Sequence, residues 1–364
     1  MRIDEMRLHQ LKMNRFVLSA LGVFAMAAIM TVRAMSAAAA GSAFAELRVY
    51  FIDVEGGQST LFITPSGESL LIDSGWPGNN YRDANRIASV AKQAGVRRID
   101  YVLITHYHDD HVGGVPQLVD RIAVGTFIDH GPNRELDHGK TEGGYAAYQA
   151  VLASGKAKRI LAHAGEVLPV QGIEATVVSA DGNLIGKALP DAGQPNPYCQ
   201  ASETRPADHT ENARSLGIEI AFGKLRILDL GDLTWDKEMQ LMCPVNRIGL
   251  IDVYVVSHHG WYQSSSSVLV DAIQPRVAIM DNGANKGGSI QTFETLAKVP
   301  RLETLWQLHF SNEGGMKHNT AVQYIANPEG PDAGHYLELI GHRDGSFDIF
   351  NSRTGASTHY SALH

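Results

Sequence analysis

The chain has 364 residues, 44% hydrophobic and 19% charged, with a formal net charge of −8. That suits one large globular domain, or a domain with insertions, and no tandem repeat or low-complexity tract beyond Ala37–Ala40 suggests a repeat-built or biased chain. Without residues 1–45 the balance is 26 basic against 37 acidic residues, net −11, which opposes binding to nucleic acid or anionic lipid; no Lys/Arg run reverses it.

Residues 1–45 read as an export signal outside the fold. Phe16–Val32 is uncharged and mostly apolar, Arg2, Arg7, Lys12 and Arg15 precede it, and small residues follow to Ala43-Phe44-Ala45, an A-x-A cleavage pattern. Met13 opens a tidier version of the same signal. Seventeen residues is near the lower limit for spanning a bilayer, so cleavage is favoured over an uncleaved anchor. The expected location is periplasmic or secreted, with membrane contact only through an uncleaved N-terminal segment. Residues 46–364 are the expected folded domain.

Leu47–Val54 alternates as a strand, Glu55–Gln58 turns, and Ser59–Thr64 returns as a hairpin partner. Ser69–Asp73 is a further strand, and Arg82–Gly95 has helical spacing that stops at Gly95. Ile99–Ile104 is an apolar run that reads as a buried strand, and Val115–Ile122 as a short amphipathic helix. Between them lies Thr105-His106-Tyr107-His108-Asp109-Asp110-His111-Val112-Gly113-Gly114, at the carboxyl end of a strand, where open α/β sheets place ligands. Imidazole nitrogen and carboxylate oxygen are ligands that zinc, iron or manganese accept. His106 and His108, two apart in an extended segment, project to one side, and Asp110 and His111 face a second ion as the chain turns.

Val124–Ile128 is a strand that leads to His130, a cleft or surface residue. Gly143–Ser154 reads as a helix; Arg159–His163, Glu166–Val170 and Glu174–Ser179 read as short β segments. Asp181–Asn212 is rich in Gly, Pro, Asn and Asp, and reads as a loop insertion over or beside the cleft. Arg214–Phe222 and Lys224–Leu230 form a strand pair ending in Asp229-Leu230-Gly231-Asp232. Trp235–Met242 is a helix, and Ile251–Val256 a strand ending in Ser257-His258-His259-Gly260. Helices at Ser267–Ile273 and Phe293–Lys298 alternate with strands at Val277–Asp281 and Leu305–Leu308; the last strands are Tyr336–Gly341 and Phe347–Phe350. His309 and His318 flank a Gly-rich loop as further cleft candidates. Cys199 and Cys243 could form one disulfide in an oxidising compartment, though sequence leaves the pairing open. Neither adjoins a histidine cluster, which argues against a cysteine nucleophile.

H-x-H-x-D-H followed by Gly113-Gly114 resembles the signature of metallo-β-lactamase-fold hydrolases. Asp53-Val54-Glu55-Gly56-Gly57-Gln58-Ser59 and Leu71-Ile72-Asp73-Ser74-Gly75 resemble the opening of the metallohydrolase domain in ComEC-type competence proteins, with Glu55 for Gly and Gln58 for Asp. Val256-Ser257-His258-His259-Gly260, with serine after it, resembles their V-x-H-H-G. Asn212-Ala213-Arg214-Ser215 resembles their N-x-x-S, where lactamases carry a histidine; His209 is an alternative at a different spacing. The resemblance implies an α/β fold of the αββα sandwich kind, two mixed sheets face to face with outer helices.

It also implies two Zn2+ ions, with iron or manganese acceptable, held by His106, His108, Asp110, His111, Asp232 and the His258/His259 pair. Asp232 is the implied bridge, and Asp229 the alternative. One of His258 and His259 would complete the second site and the other face substrate. Asp53 and Asp73 would brace the ligand loops. Asp110, His258 and His259 are the implied catalytic residues, and two ions sharing a water would lower its pKa towards ~7. The expected protein is an exported dinuclear zinc hydrolase acting on a phosphoester in a small-molecule or cell-envelope substrate. The alternatives are an amide or lactone hydrolase, β-lactams included, and a non-catalytic metal-binding module.

Overall fold

A computed structural model describes residues 45–135, 141–328 and 332–363. The export signal expected over residues 1–45 lies outside them apart from Ala45. The amino-terminal half supplies β1 (Leu47–Phe51), β2 (Thr60–Ile63), β3 (Ser69–Ile72), β4 (Arg98–Leu103), β5 (Ala123–Asp129) and β6 (Lys158–Leu161). The middle supplies β7 (Glu174–Ala180), β8 (Asn183–Leu184), β9 (Gly217–Phe222), β10 (Leu225–Asp229), β11 (Val253–Val255), β12 (Val277–Met280), β13 (Thr304–His309) and β14 (Ile325–Asn327). The end supplies β15 (Leu337–Gly341), β16 (Phe347–Asn351) and β17 (Ala356–Tyr360). One sheet has the order β17-β16-β15-β1-β2-β3-β4-β5-β6, the other β14-β13-β12-β11-β10-β9-β7-β8.

Each sheet is mixed, and its parallel part carries the ligand-rich loops. The runs β3 to β6 and β10 to β14 are parallel throughout. Because successive side chains alternate between faces, one strand serves two cores. Val49, Ile227, Val253 and Ile279 join the core between the sheets, with Phe62, Phe222 and Trp306. Their neighbours Tyr50, Leu228, Tyr254 and Ala278 face outward. Helices cover both outer faces. On one, Ile87 and Val90 of α1 (Arg82–Gln93) pack with Leu118 and Tyr148. On the other pack Leu241 of the helix Trp235–Met242, Val270 of Ser267–Ile273 and Leu296 of Ile290–Leu296. The architecture is the αββα sandwich expected from the sequence.

Three local readings change. Glu166–Val170 makes only an isolated bridge, Val167 to Thr176, rather than a strand. Ile325–Asn327 and Ala356–Tyr360 are strands that the apolar pattern did not announce. Asp181–Asn212 is a tied-down segment, not a structureless one. Backbone bonds join Leu189 to Arg247, Gly193 to Asn246 and Asn196 to Pro244, and the Asn196 amide donates to Met242 O and Val268 O, both 3.1 Å.

Cys199 and Cys243 close this arrangement as a disulfide, with Cα atoms 5.8 Å apart across a separation of 44 residues. A crosslink over a loop of this length stabilises mainly by restricting the unfolded chain, by about 2–4 kcal/mol. Cys199→Ser/Cys243→Ser should therefore unfold at lower urea concentration. An unchanged midpoint would mean that the backbone bonds alone hold the segment.

Candidate metal centre

The centre is built from the carboxyl ends of parallel strands in both sheets. After β4 the chain turns through His106 and His108 into α2 (Asp109–Val112), so that Asp110 and His111 point back at the same place. Asp73, at the end of β3, fixes that turn. Its Oδ1 accepts from Thr105 N (2.8 Å), and its Oδ2 accepts from Thr105 Oγ1 (2.6 Å) and lies 2.7 Å from His111 Nδ1. Gly114 is needed because a Cβ there would meet Ser74 O at 2.0 Å, where the Asp73 loop crosses. Asp232 follows β10, and its N–H donates to Ser215 Oγ (3.2 Å). His258 and His259 follow β11 and both hold left-handed backbone, φ 57° and 54°, a costly conformation for non-glycine residues. That bend turns both imidazoles inward.

Asp110, His111, Asp232 and His259 converge, all buried. His111 Nε2 lies 3.3 Å from Asp110 Oδ2 and 3.4 Å from Asp232 Oδ2. His259 Nε2 lies 3.2 Å from Asp110 Oδ2, 3.5 Å from Asp232 Oδ1 and 3.2 Å from His111 Nε2. Ligand atoms ~2.0–2.2 Å from a tetrahedral zinc are separated by about 3.3–3.5 Å, so these spacings fit one such ion. The same Asp232 Oδ2 also lies 3.3 Å from His258 Nε2 and 3.9 Å from His106 Nε2. His108 Nδ1 is 3.0 Å from His106 Nε2. Asp232 thus meets four imidazoles, three through Oδ2 and one through Oδ1. Its Oδ1 and the buried Asn212 Oδ1 have no hydrogen-bond partner among the described residues. Lone pairs gathered this closely, with an orphaned carboxylate oxygen among them, suit divalent cations.

Each imidazole has a polar group on its outer nitrogen, which fixes the ring and leaves the inner nitrogen to a cation. His111 Nδ1 faces Asp73, His106 Nδ1 lies 3.1 Å from Thr105 Oγ1, and His108 Nε2 lies 3.1 Å from Glu135 Oε2. His258 Nδ1 is 3.3 Å from Ser264 Oγ; His259 Nδ1 lies 3.3 Å from Asp281 Oδ1 as a charge contact, neither atom having a hydrogen-bond partner among the described residues.

The electrostatics follow the charges. For Asp110, burial works upward but Lys286 and His111 outweigh it, and its pKa lies well below the ordinary value. Burial is likewise overcome at Asp232, by His258, His111 and His259. Burial lowers His111 too, yet Asp232, Asp110 and Asp73 carry it well above an ordinary imidazole. His106 falls well below, through burial and the neighbouring His111. Burial holds His258 at about 4, so it is neutral at pH 7.

The structure separates the remaining candidates. His259 belongs to the four-residue set, while His258 lies outside it and meets Asp232 Oδ2 at 3.3 Å. Asp229 is a brace, accepting from Gln58 Nε2 (2.6 Å) and Gly231 N (3.0 Å). Asp53 pairs with His309 (2.7 Å) and Arg86 (2.9 Å), away from the four-residue set. His130 is buried against Glu211 (3.0 Å), His318 reaches Gly314 O, and His209 is exposed. Glu135, Asp281 and Lys286 were not anticipated. Asp281 follows a buried strand as the other site residues do, and that signal was available. Glu135 and Lys286 lie in loops without one.

Glu238 steadies the loop behind His258. It is buried in the helix Trp235–Met242 and accepts from Ser265 N (2.9 Å) and Ser266 N (2.7 Å). Burial pushes its pKa up to about 7. A folded-state pKa above the unfolded one makes the fold bind the proton more tightly. The resulting stability is complete below about pH 4.5 and is lost as pH rises to 7. At ~1.4 kcal/mol per unit, Glu238→Gln should gain about 3 kcal/mol on the parent between pH 4.5 and pH 8. Denaturant titrations at both pH values measure the gain, and a difference independent of pH would remove the assignment.

Residues 53–186 match the family model described as the metallo-beta-lactamase superfamily, a span that includes His106–His111. Over that span the chain is similar to the metallo-β-lactamase superfamily. Similar sequences include Recombination protein 2 of Haemophilus influenzae, 24% identical over 234 residues, covering 64% of this chain and 24% of that protein. ComE operon protein 3 of Bacillus subtilis is 24% identical over 254 residues, covering 66% of this chain and 29% of that one. The chain therefore spans about a quarter of the length of these curated relatives. The metallo-beta-lactamase fold protein YhfI of Bacillus subtilis matches with a TM-score of 0.41 at 12% identity, over 80% of this chain and 99% of that one. The metallo-β-lactamase model ends at residue 186, so Asp232 and His259 are placed by the geometry.

Proposed function

We propose that the chain is an exported metal-dependent phosphodiesterase with a pair of zinc ions, acting on a small-molecule or cell-envelope substrate. The observation that carries this reading is Asp232, whose Oδ2 lies 3.4 Å from His111 Nε2 and 3.3 Å from His258 Nε2 while its Oδ1 lies 3.5 Å from His259 Nε2. Asp110, His111, Asp232 and His259 would hold one ion; His106, His108 and Asp232 would hold the other, with iron or manganese as acceptable substitutes. Such ions supply positive charge at substrate oxygen and acidify water near neutral pH.

The chain's own groups do the rest. Asp73, Thr105, Glu135 and Asp281 keep the imidazoles turned inward. Asp110 orients the attacking water. His258 Nε2, neutral at pH 7, faces the centre and is placed to take up or pass on a proton. The ComEC-like phrases, and Asn212 where lactamases carry histidine, favour phosphorus over an amide carbonyl. The apolar run Phe16–Val32 and the Cys199–Cys243 bond favour an oxidising compartment outside the cytoplasm.

The zinc-loaded protein should hydrolyse bis(p-nitrophenyl) phosphate, lose that activity to a chelator and regain it with added zinc. Nitrocefin should survive. Cleavage of nitrocefin alone would replace this reading with amide hydrolysis, and inertness to both substrates would leave a metal-binding module.

A further inference from the structure

We propose that Lys286 is the specificity-determining residue through which this site takes a phosphoryl group; the inference rests on the phosphodiesterase reading and deepens it. Lys286 lies in the loop Asn282–Gly288 that follows β12, and that loop is anchored on three sides. The Asn282 side chain donates to His309 O (2.9 Å), Asn312 Nδ2 donates to Asn285 Oδ1 (2.7 Å), and Gly288 N donates to His259 O (2.9 Å). The loop also presses on the Glu55–Gly57 turn, since a Cβ on Gly283 would come within 2.8 Å of Glu55 backbone. The backbone that carries Lys286 is therefore set by contacts with both halves of the site.

The ammonium rests at the mouth of the centre. Nζ donates to Asp110 Oδ2 and to Gly56 O (2.6 Å), lies 5.2 Å from the centre of the Trp76 ring, and belongs to a side chain that is 26% exposed. Among the described residues two of its three N–H groups are engaged, which leaves one for a ligand. A positive charge against a ligand of a divalent ion is repelled by that ion, so a neutral donor would serve better for holding metal alone. An anionic oxygen placed between the ion and the ammonium removes the repulsion and gains from both. Lysine binds phosphate in this way, as a compact point charge. The site selects phosphoryl substrates because Lys286 adds a fixed cation beside the ions.

The test uses the zinc-loaded chain and inorganic phosphate as the probe, with affinity read by calorimetry. Lys286→Gln should weaken phosphate binding about 10- to 100-fold, and Lys286→Arg much less. For bis(p-nitrophenyl) phosphate, KM should rise more than kcat falls, and selectivity over neutral p-nitrophenyl acetate should drop at least ~10-fold. Zinc stoichiometry should hold. Unchanged phosphate affinity in Lys286→Gln, no phosphate binding by the parent, or zinc loss that accounts for the whole effect would overturn the proposal. Failure of the phosphodiesterase reading looks different: phosphate would bind through Lys286 while no phosphodiester turned over.

Discussion

Asp232→Asn is expected to strip the centre of bound metal and to lower phosphodiester turnover by at least about 10³-fold, or ~4 kcal/mol of barrier. Asp232 is buried beside the imidazoles of His111, His258 and His259, and its Oδ1 has no hydrogen-bond partner among the described residues. An amide keeps the shape but gives up the negative charge, and its NH2 end turns donors toward atoms that should accept. Both halves of the centre share this residue, so both should suffer. Elemental analysis after desalting, with turnover on the same samples, provides the test. Two retained ions and activity within tenfold of the parent would show that Asp232 is not the bridge. His259→Ala, by comparison, should empty the four-residue set and leave His106 and His108 their ion.

Removing metal should also cost the fold. A ligand that binds only the native state stabilises it by RT ln(1 + [L]/Kd), about 4 kcal/mol at a thousandfold excess over Kd. With an unfolding entropy of ~2.1 cal/mol/K per residue over about 320 residues, each kcal/mol moves Tm by ~1.5 °C, so excess zinc should raise Tm by about 6 °C over a chelated sample. The reason lies in the charges. Asp110 and Asp232 are both held well below ordinary carboxylate pKa values in the interior, with imidazoles crowded at 3.2–3.5 Å. A divalent ion replaces those mutual contacts with direct bonds. Thermal unfolding with chelator, then with added zinc, measures the shift. Identical midpoints would mean that the cluster is stable as a set of ion pairs and takes up no ion.

Much of this centre was legible because its residues follow one rule, polar side chains just after buried strands. Thr105–His111, Asp232 and His258-His259 each stand after an apolar run, and the structure brings those ends together. The choice between His258 and His259 was not legible. Both residues are in left-handed backbone, and only their final orientation separates a member of the four-residue set from its neighbour. Lys286 escaped notice because a lysine in a Gly-rich loop carries no periodic signal. β17 was missed because its side chains are mostly exposed and only Tyr360 is buried. The tie between Cys199 and Cys243 depends on a chain path that composition cannot trace.

The four-residue set divides evenly along the chain. Asp110 and His111 follow a strand of one sheet, whereas Asp232 and His259 follow strands of the other. A polypeptide still being synthesised, and not yet past Asp232, offers an ion only half of this coordination. Tight capture must wait until the second sheet has closed over the first. The complete four-residue set thus exists only when both sheets are in place.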